Sequence, residues 1–148
     1  MEILIVVVIV GVLSIMTAPR IKSARDSYSV GAARERVTAA VAAARAAAIH
    51  SGRESLFLTS GQYISVWTKN PTTGFWQQQL PMQNIGSAHD GVQLQLAGSG
   101  WSYVWFEPRG LTKYRPSSTT VFRLVGSTKR DSVCVSRLGQ ILPRSCIL

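Results

Sequence analysis

The stretch EILIVVVIVGVLSIMTAPR, residues 2–20, decides the architecture. Its interior, residues 3–18, is an apolar run without a charge, entered through Glu2 and left through Pro19 and Arg20. At ~1.5 Å per residue this run makes a helix about 24 Å long, set against a hydrocarbon core of roughly 30 Å. It is a slightly short membrane span with one carboxylate at its mouth. A cleaved secretory signal is the rival, but no basic region precedes the run and no small-x-small site closes it.

An unpaired charge in apolar surroundings is expensive, so an acid at this place either has a partner or sits in the headgroup layer. Gly11, with no side chain, eases close helix contact or bending. Pro19 lacks a backbone N–H, so it either kinks or locally melts the helix, or ends it before a separate soluble one.

Beyond the run, helical spacing resumes from Ser29 to about His50. Val30, Ala33, Val37, Ala40, Val41, Ala44 and Ala48 fall on one stripe. Ten alanines between residues 32 and 48 give high helix propensity and a thin helix able to lie close against a sheet. After Gly52 the chain turns to short β-branched and aromatic runs: 55–59, 62–67, 75–79, 92–96, 102–106, 119–125 and 132–137. Turn chemistry separates them at Ser60-Gly61, Asn70 to Gly74, Gly98-Ser99-Gly100 and Leu138-Gly139. The run VQLQL alternates, which predicts one buried and one wet face. With no βαβ rhythm, the fold class is α+β: a long N-terminal helix, half membrane and half amphipathic, packed on a mainly antiparallel head of two small sheets. Residues 1–28 form the membrane or filament-core half, and 29–148 the head, with helix at 29–50 and β structure at 53–148.

These features carry a family resemblance. Glu2, Gly11 nine positions on and Pro19 eight further, inside a Leu/Ile/Val run, resemble the N-terminal motif of type IV pilins and type II secretion pseudopilins. ARAAAIHSGR (44–53), WFEPRG (105–110) and SVCVSRLGQI (132–141) are similar to segments of the GspH, FimT and FimU minor pilins. The last of these implies a strand, turn and strand. Two departures stand out: Ala47 where the first motif usually has Glu, and Gln140 where Arg commonly follows the glycine. The resemblance implies a structural subunit that helps initiate or cap a type IV pilus or a type II secretion pseudopilus. Its N-terminal residue would be methylated, and Glu2 would pair with the free N-terminal amine of the neighbouring subunit. The family's mature start would fall three residues before Met1, so a leader and the first residues are expected upstream. Partners implied are other pilin subunits and the inner-membrane assembly platform. The expected location is the bacterial inner membrane, single-pass, with a periplasmic head, and the filament after assembly. Arg20, Lys22 and Arg25 after the run would place that flank in the cytoplasm by the positive-inside rule. The basic leader usual in the family restores the balance.

Charge marks the head. Of the net +9, residues 109–148 hold +7, through Arg109, Lys113, Arg115, Arg123, Lys129, Arg130, Arg137 and Arg144 against Asp131 alone. Such residues on a β scaffold can bind phosphate backbones with counterion release, and the FimT group implies DNA uptake as an alternative function. The same cations equally serve solubility, acidic neighbours or anionic lipid. The two cysteines, Cys134 and Cys146, read as one disulfide in an exported domain and as two buried thiols in a cytosolic one. With only His50 and His89 beside them, and no CxxC or HExxH spacing, a metal site is not expected. His89-Asp90 near serines lacks any GxSxG context. No catalytic residue and no cofactor is assigned.

Overall fold

The computed structural model describes residues 2–97, 103–113 and 119–142. One helix, α1 (Glu2–Ser51), runs unbroken for 50 residues, about 75 Å. Gly11 and Pro19 both lie inside it, so Pro19 does not divide it into two helices. The helix ends as its chemistry dictates. Gly52 adopts φ +63°, and its N–H and that of Arg53 return to the carbonyls of Ile49 (3.3 Å) and Ala48 (3.1 Å), a Schellman cap.

Among the described residues eight strands and a short helix follow: β1 (Ser55–Ser60), β2 (Tyr63–Lys69), β3 (Trp76–Asn84), α2 (Ile85–Ala88), β4 (Gln93–Ala97), β5 (Tyr103–Phe106), β6 (Thr120–Val125), β7 (Arg130–Val135) and β8 (Ile141–Leu142). They form two antiparallel sheets, ordered β3-β2-β1-β5 and β4-β6-β7-β8. The predicted alternation holds over the start of β4, where Val92 and Leu94 are buried and Gln93 and Gln95 exposed.

Several boundaries differ from the sequence reading. β3 continues past Gln79 to Asn84 because it is an edge strand: Pro81, with no N–H to donate, is tolerated there, and the register against β2 shifts around Val66. β7 starts at Arg130 and stops at Val135, two residues earlier at each end than the run 132–137. Asn84 begins α2 by accepting the Ser87 N–H at its side-chain oxygen (3.0 Å). The predicted turn at 98–100 lies outside the described residues.

Both sheets close on one face of α1. All seven residues of the predicted stripe are buried, none more than 3% exposed. Because that face is mostly alanine and valine, strand backbone comes close, and the buried Ser55 hydroxyl donates to the Ala44 carbonyl. Phe57 of one sheet and Phe122 of the other meet edge to face at 5.3 Å and join the two halves of the core.

Candidate functional site

Three loci on α1 are chemically distinctive. The first is its N-terminal part. Glu2, Gly11 and Pro19 all lie on the same continuous helix. Val6 and Val7, the two residues of the run whose side chains are described, are 58% and 62% exposed. Among the described residues no helix is long and apolar enough to cross a membrane, and most side chains of the run 3–18 fall outside the described ones.

The second locus is the rim of the head that faces this rod. Asp26 accepts hydrogen bonds from the backbone N–H groups of Ser127 (2.9 Å), Thr128 (2.6 Å) and Lys129 (2.8 Å), and from the Thr128 hydroxyl (2.7 Å). The Thr128 hydroxyl, then the backbone donors, hold its carboxyl well below the usual carboxylate range. On the other flank Arg25 grips Asp90 through two bonds of 2.9 and 2.8 Å, and the Ser29 hydroxyl donates to the same carboxylate at 2.8 Å. The arginine, then the serine, lower the Asp90 carboxyl. Arg34 and Asp131 pair at 3.4 Å. Asp90 is therefore a fastener between loop and helix, and the serine nearest to it serves the same joint.

These carboxylates give the head an acid limit. A group whose folded pKa is depressed stabilises the fold above its ordinary pKa, near 4, and that contribution is lost as pH falls towards the folded value. The thermal midpoint is expected to hold between about pH 7 and about pH 5, then drop below about pH 4, less steeply in Asp26→Asn. A midpoint unchanged down to about pH 3 in the parent chain would refute the clamp.

At the third locus, near the other end of α1, the three head segments singled out in sequence come together. Arg45 Nε donates to the Gly110 carbonyl at 3.1 Å. Gly139 lies so close that a Cβ added there would stand 2.1 Å from the Gly110 oxygen and 3.2 Å from Arg45 Nε. The Thr112 N–H and hydroxyl both donate to the Arg137 carbonyl, at 3.1 and 2.9 Å. A shallow groove lined by Glu107, Leu111, Thr112, Arg137 and Leu138 opens beside them.

The fold does not gather the predicted cations on one surface. Arg109 and Arg137 belong to the turns at Arg45, whereas Lys129 and Arg130 belong to the turn held by Asp26, nineteen residues and roughly 28 Å away along α1. Arg123 is exposed on β6, in register with Gln95 and Ser132. Lys113 is engaged: it bonds Glu54, which also pairs with Lys69 at 3.4 Å, and lies 4.8 Å from the centre of the Trp105 ring. Lys113, then Lys69, pull the Glu54 carboxyl down. Arg115, Arg144 and Cys146 lie outside the described residues. Cys134 is buried in β7, and no described cysteine is a free thiol. Among the described residues no three His, Cys, Asp or Glu side chains are grouped to hold a metal. Sequence reading named Arg25 only as a flanking charge and Asp90 only beside His89; it missed their pairing, and Asp26 altogether, because each partner is more than sixty residues away.

Two crystal structures of the type IV minor pilin FimU from Pseudomonas aeruginosa share the fold. One, in space group P21, has a TM-score of 0.59 at 16% identity, over 78% of this chain and 88% of that one. The other, in P65, gives 0.56 at 17%, over 76% and 90%. No curated protein matches the sequence. Residues 33–139 match the model of the type II transport protein GspH. That span takes in most of the buried helix stripe, the described strands except β8, and the residues of the three segments that meet at Arg45, and the chain belongs to the GspH family.

Proposed function

We propose that this chain is a structural subunit, a minor pilin or pseudopilin, of a type IV pilus or type II secretion pseudopilus. The observation that carries the reading is the rod itself. Among the described residues the first to hydrogen-bond the head is Arg25, so roughly 35 Å of α1 precede that bond, and the apolar run fills most of that length. A surface of this kind needs lipid or other helices around it. Before assembly the rod anchors the subunit in the inner membrane with the head in the periplasm; afterwards it packs among neighbouring helices in the filament core. Gly11 and Pro19 are where the rod can bend or thin to follow its neighbours. Glu2 at its tip pairs with the N-terminal amine of the adjoining subunit and sets the stagger. A position near the filament tip, where assembly starts from the platform, suits a family of minor components.

Export also gives Cys134 and Cys146 a reason to pair, and a disulfide between them is supported by the absence of a free thiol at the buried Cys134. DNA uptake, the second function implied by the resemblance, gains no observation from cations divided between the two ends of the head.

Assembly is tested at Glu2. Glu2→Ala is expected to leave the folded head and its abundance in membranes unchanged while reducing recovery in sheared filaments at least tenfold, and Glu2→Asp to restore part of it. Filaments carrying Glu2→Ala at parental levels would defeat the proposal. The same preparations, digested without reductant, should yield a peptide joining Cys134 to Cys146.

A further inference from the structure

The rim of the head nearest the apolar rod collects cations that are far apart in sequence. Arg20 and Lys22 are exposed on the helix just after Ala18. Asp26 holds the turn between β6 and β7, 101 to 103 residues away, and so brings Lys129 and Arg130, both exposed, beside the same stretch of helix. The carboxylates at this rim are already occupied: Asp26 by the turn, Asp90 by Arg25 and Ser29, Asp131 by Arg34. Among the described residues no carboxylate pairs with Arg20, Lys22, Lys129 or Arg130.

Position decides what such a rim meets. Asp26 is eight residues beyond Ala18, about 12 Å along the helix. Outside the hydrocarbon the headgroup layer adds roughly 5–8 Å per leaflet, and a charged surface is felt for about a further 8 Å at physiological salt. Arg20 and Lys22 then stand among the headgroups, with Lys129 and Arg130 directly above. We propose that this rim docks on anionic phospholipid headgroups and seats the unassembled head on the membrane its helix rises from. The proposal rests on the membrane-anchor reading. A duplex would have to squeeze between the head and the bilayer to use the same cations, so lipid is the favoured partner. Each cation near such a surface adds about 1 kcal/mol, roughly fivefold in binding, so four side chains suffice to hold the head until assembly lifts it away.

The test uses the full chain with vesicles of phosphatidylcholine alone or with about one-third phosphatidylglycerol, read by flotation and by the acetylation rates of Lys22 and Lys129. Lys69, paired with Glu54 beyond the far end of α1, is the internal control. The expected result is flotation with both vesicles, with Lys22 and Lys129 acetylated about fivefold more slowly only on the anionic ones. That protection should be lost at about 0.5 M salt and, at Lys129, in the variant Arg20→Gln, Lys22→Gln, Arg130→Gln. Flotation with both vesicles but no difference in acetylation overturns the rim and leaves the anchor standing. Salt-sensitive flotation on anionic vesicles alone overturns the anchor and keeps the rim. Flotation with neither overturns both. Protection of the same lysines by duplex DNA and not by vesicles also overturns the proposal, and reassigns the rim to nucleic acid.

Discussion

Gly139→Ala is expected to cost the head about 3 kcal/mol or more and to deplete the folded subunit at growth temperature. Two costs add. Gly139 holds φ +69°, where a side chain meets its own backbone and alanine loses about 1–2 kcal/mol. Its new Cβ would also lie 2.1 Å from the Gly110 carbonyl oxygen, a backbone atom that cannot swing aside as a side chain would. Relief requires the turn after β5 and the turn between β7 and β8 to separate, which breaks the Arg45 contact and the paired bonds to the Arg137 carbonyl. Gly61→Ala is the control. It has the same sign of φ, +57°, and nothing within 4 Å of the added carbon, so it should show the conformational cost alone. Equal denaturation midpoints for the two variants in detergent would mean that the close approach is not a constraint.

Phe122→Ala should destabilise the head by about 3–5 kcal/mol, the range for emptying a buried aromatic site. Phe122 is fully buried and stacks its edge on Phe57 across the gap between the sheets, so its loss leaves a void where both sheets and α1 converge. A domain of this size has roughly 5–15 kcal/mol in hand, and one substitution removes a large share. A double-mutant cycle with Phe57→Ala should return a coupling of about 0.5–1.5 kcal/mol. Phe75, 76% exposed, is the contrasting site, and Phe75→Ala should shift the midpoint little. A cycle that sums to zero would separate the two rings energetically and break the link between the sheets.

The helix stripe was legible because Val30 through Ala48 repeat with the period of one helical face, and burial follows that period directly. The two-sheet head was legible from its runs and turns, since Gly61 and Gly139 sit in the left-handed region where only a turn puts them. What stayed hidden was long-range. Nothing local marks Asp26 as the acceptor of three backbone N–H groups, because the donors belong to an ordinary Ser-Thr-Lys turn at 127–129. Pro81 hid the second half of β3, since a proline reads as an interruption unless the strand is known to be an edge. β8, with two residues, is too short to show any period. For the cations, sequence shows density but not direction. Arg109 and Lys129 are only twenty residues apart in sequence, yet they lie at opposite ends of the head.

The unbroken helix also has a mechanical meaning. A pull on the rod enters the head along one continuous helix, and the Asp26 and Arg25 fasteners lie at the point where that load arrives. Asp26 takes four hydrogen bonds there and Arg25 gives two, so several contacts have to open before the head parts from the helix. Under force, survival depends on how fast the joint opens rather than on how stable it is at rest.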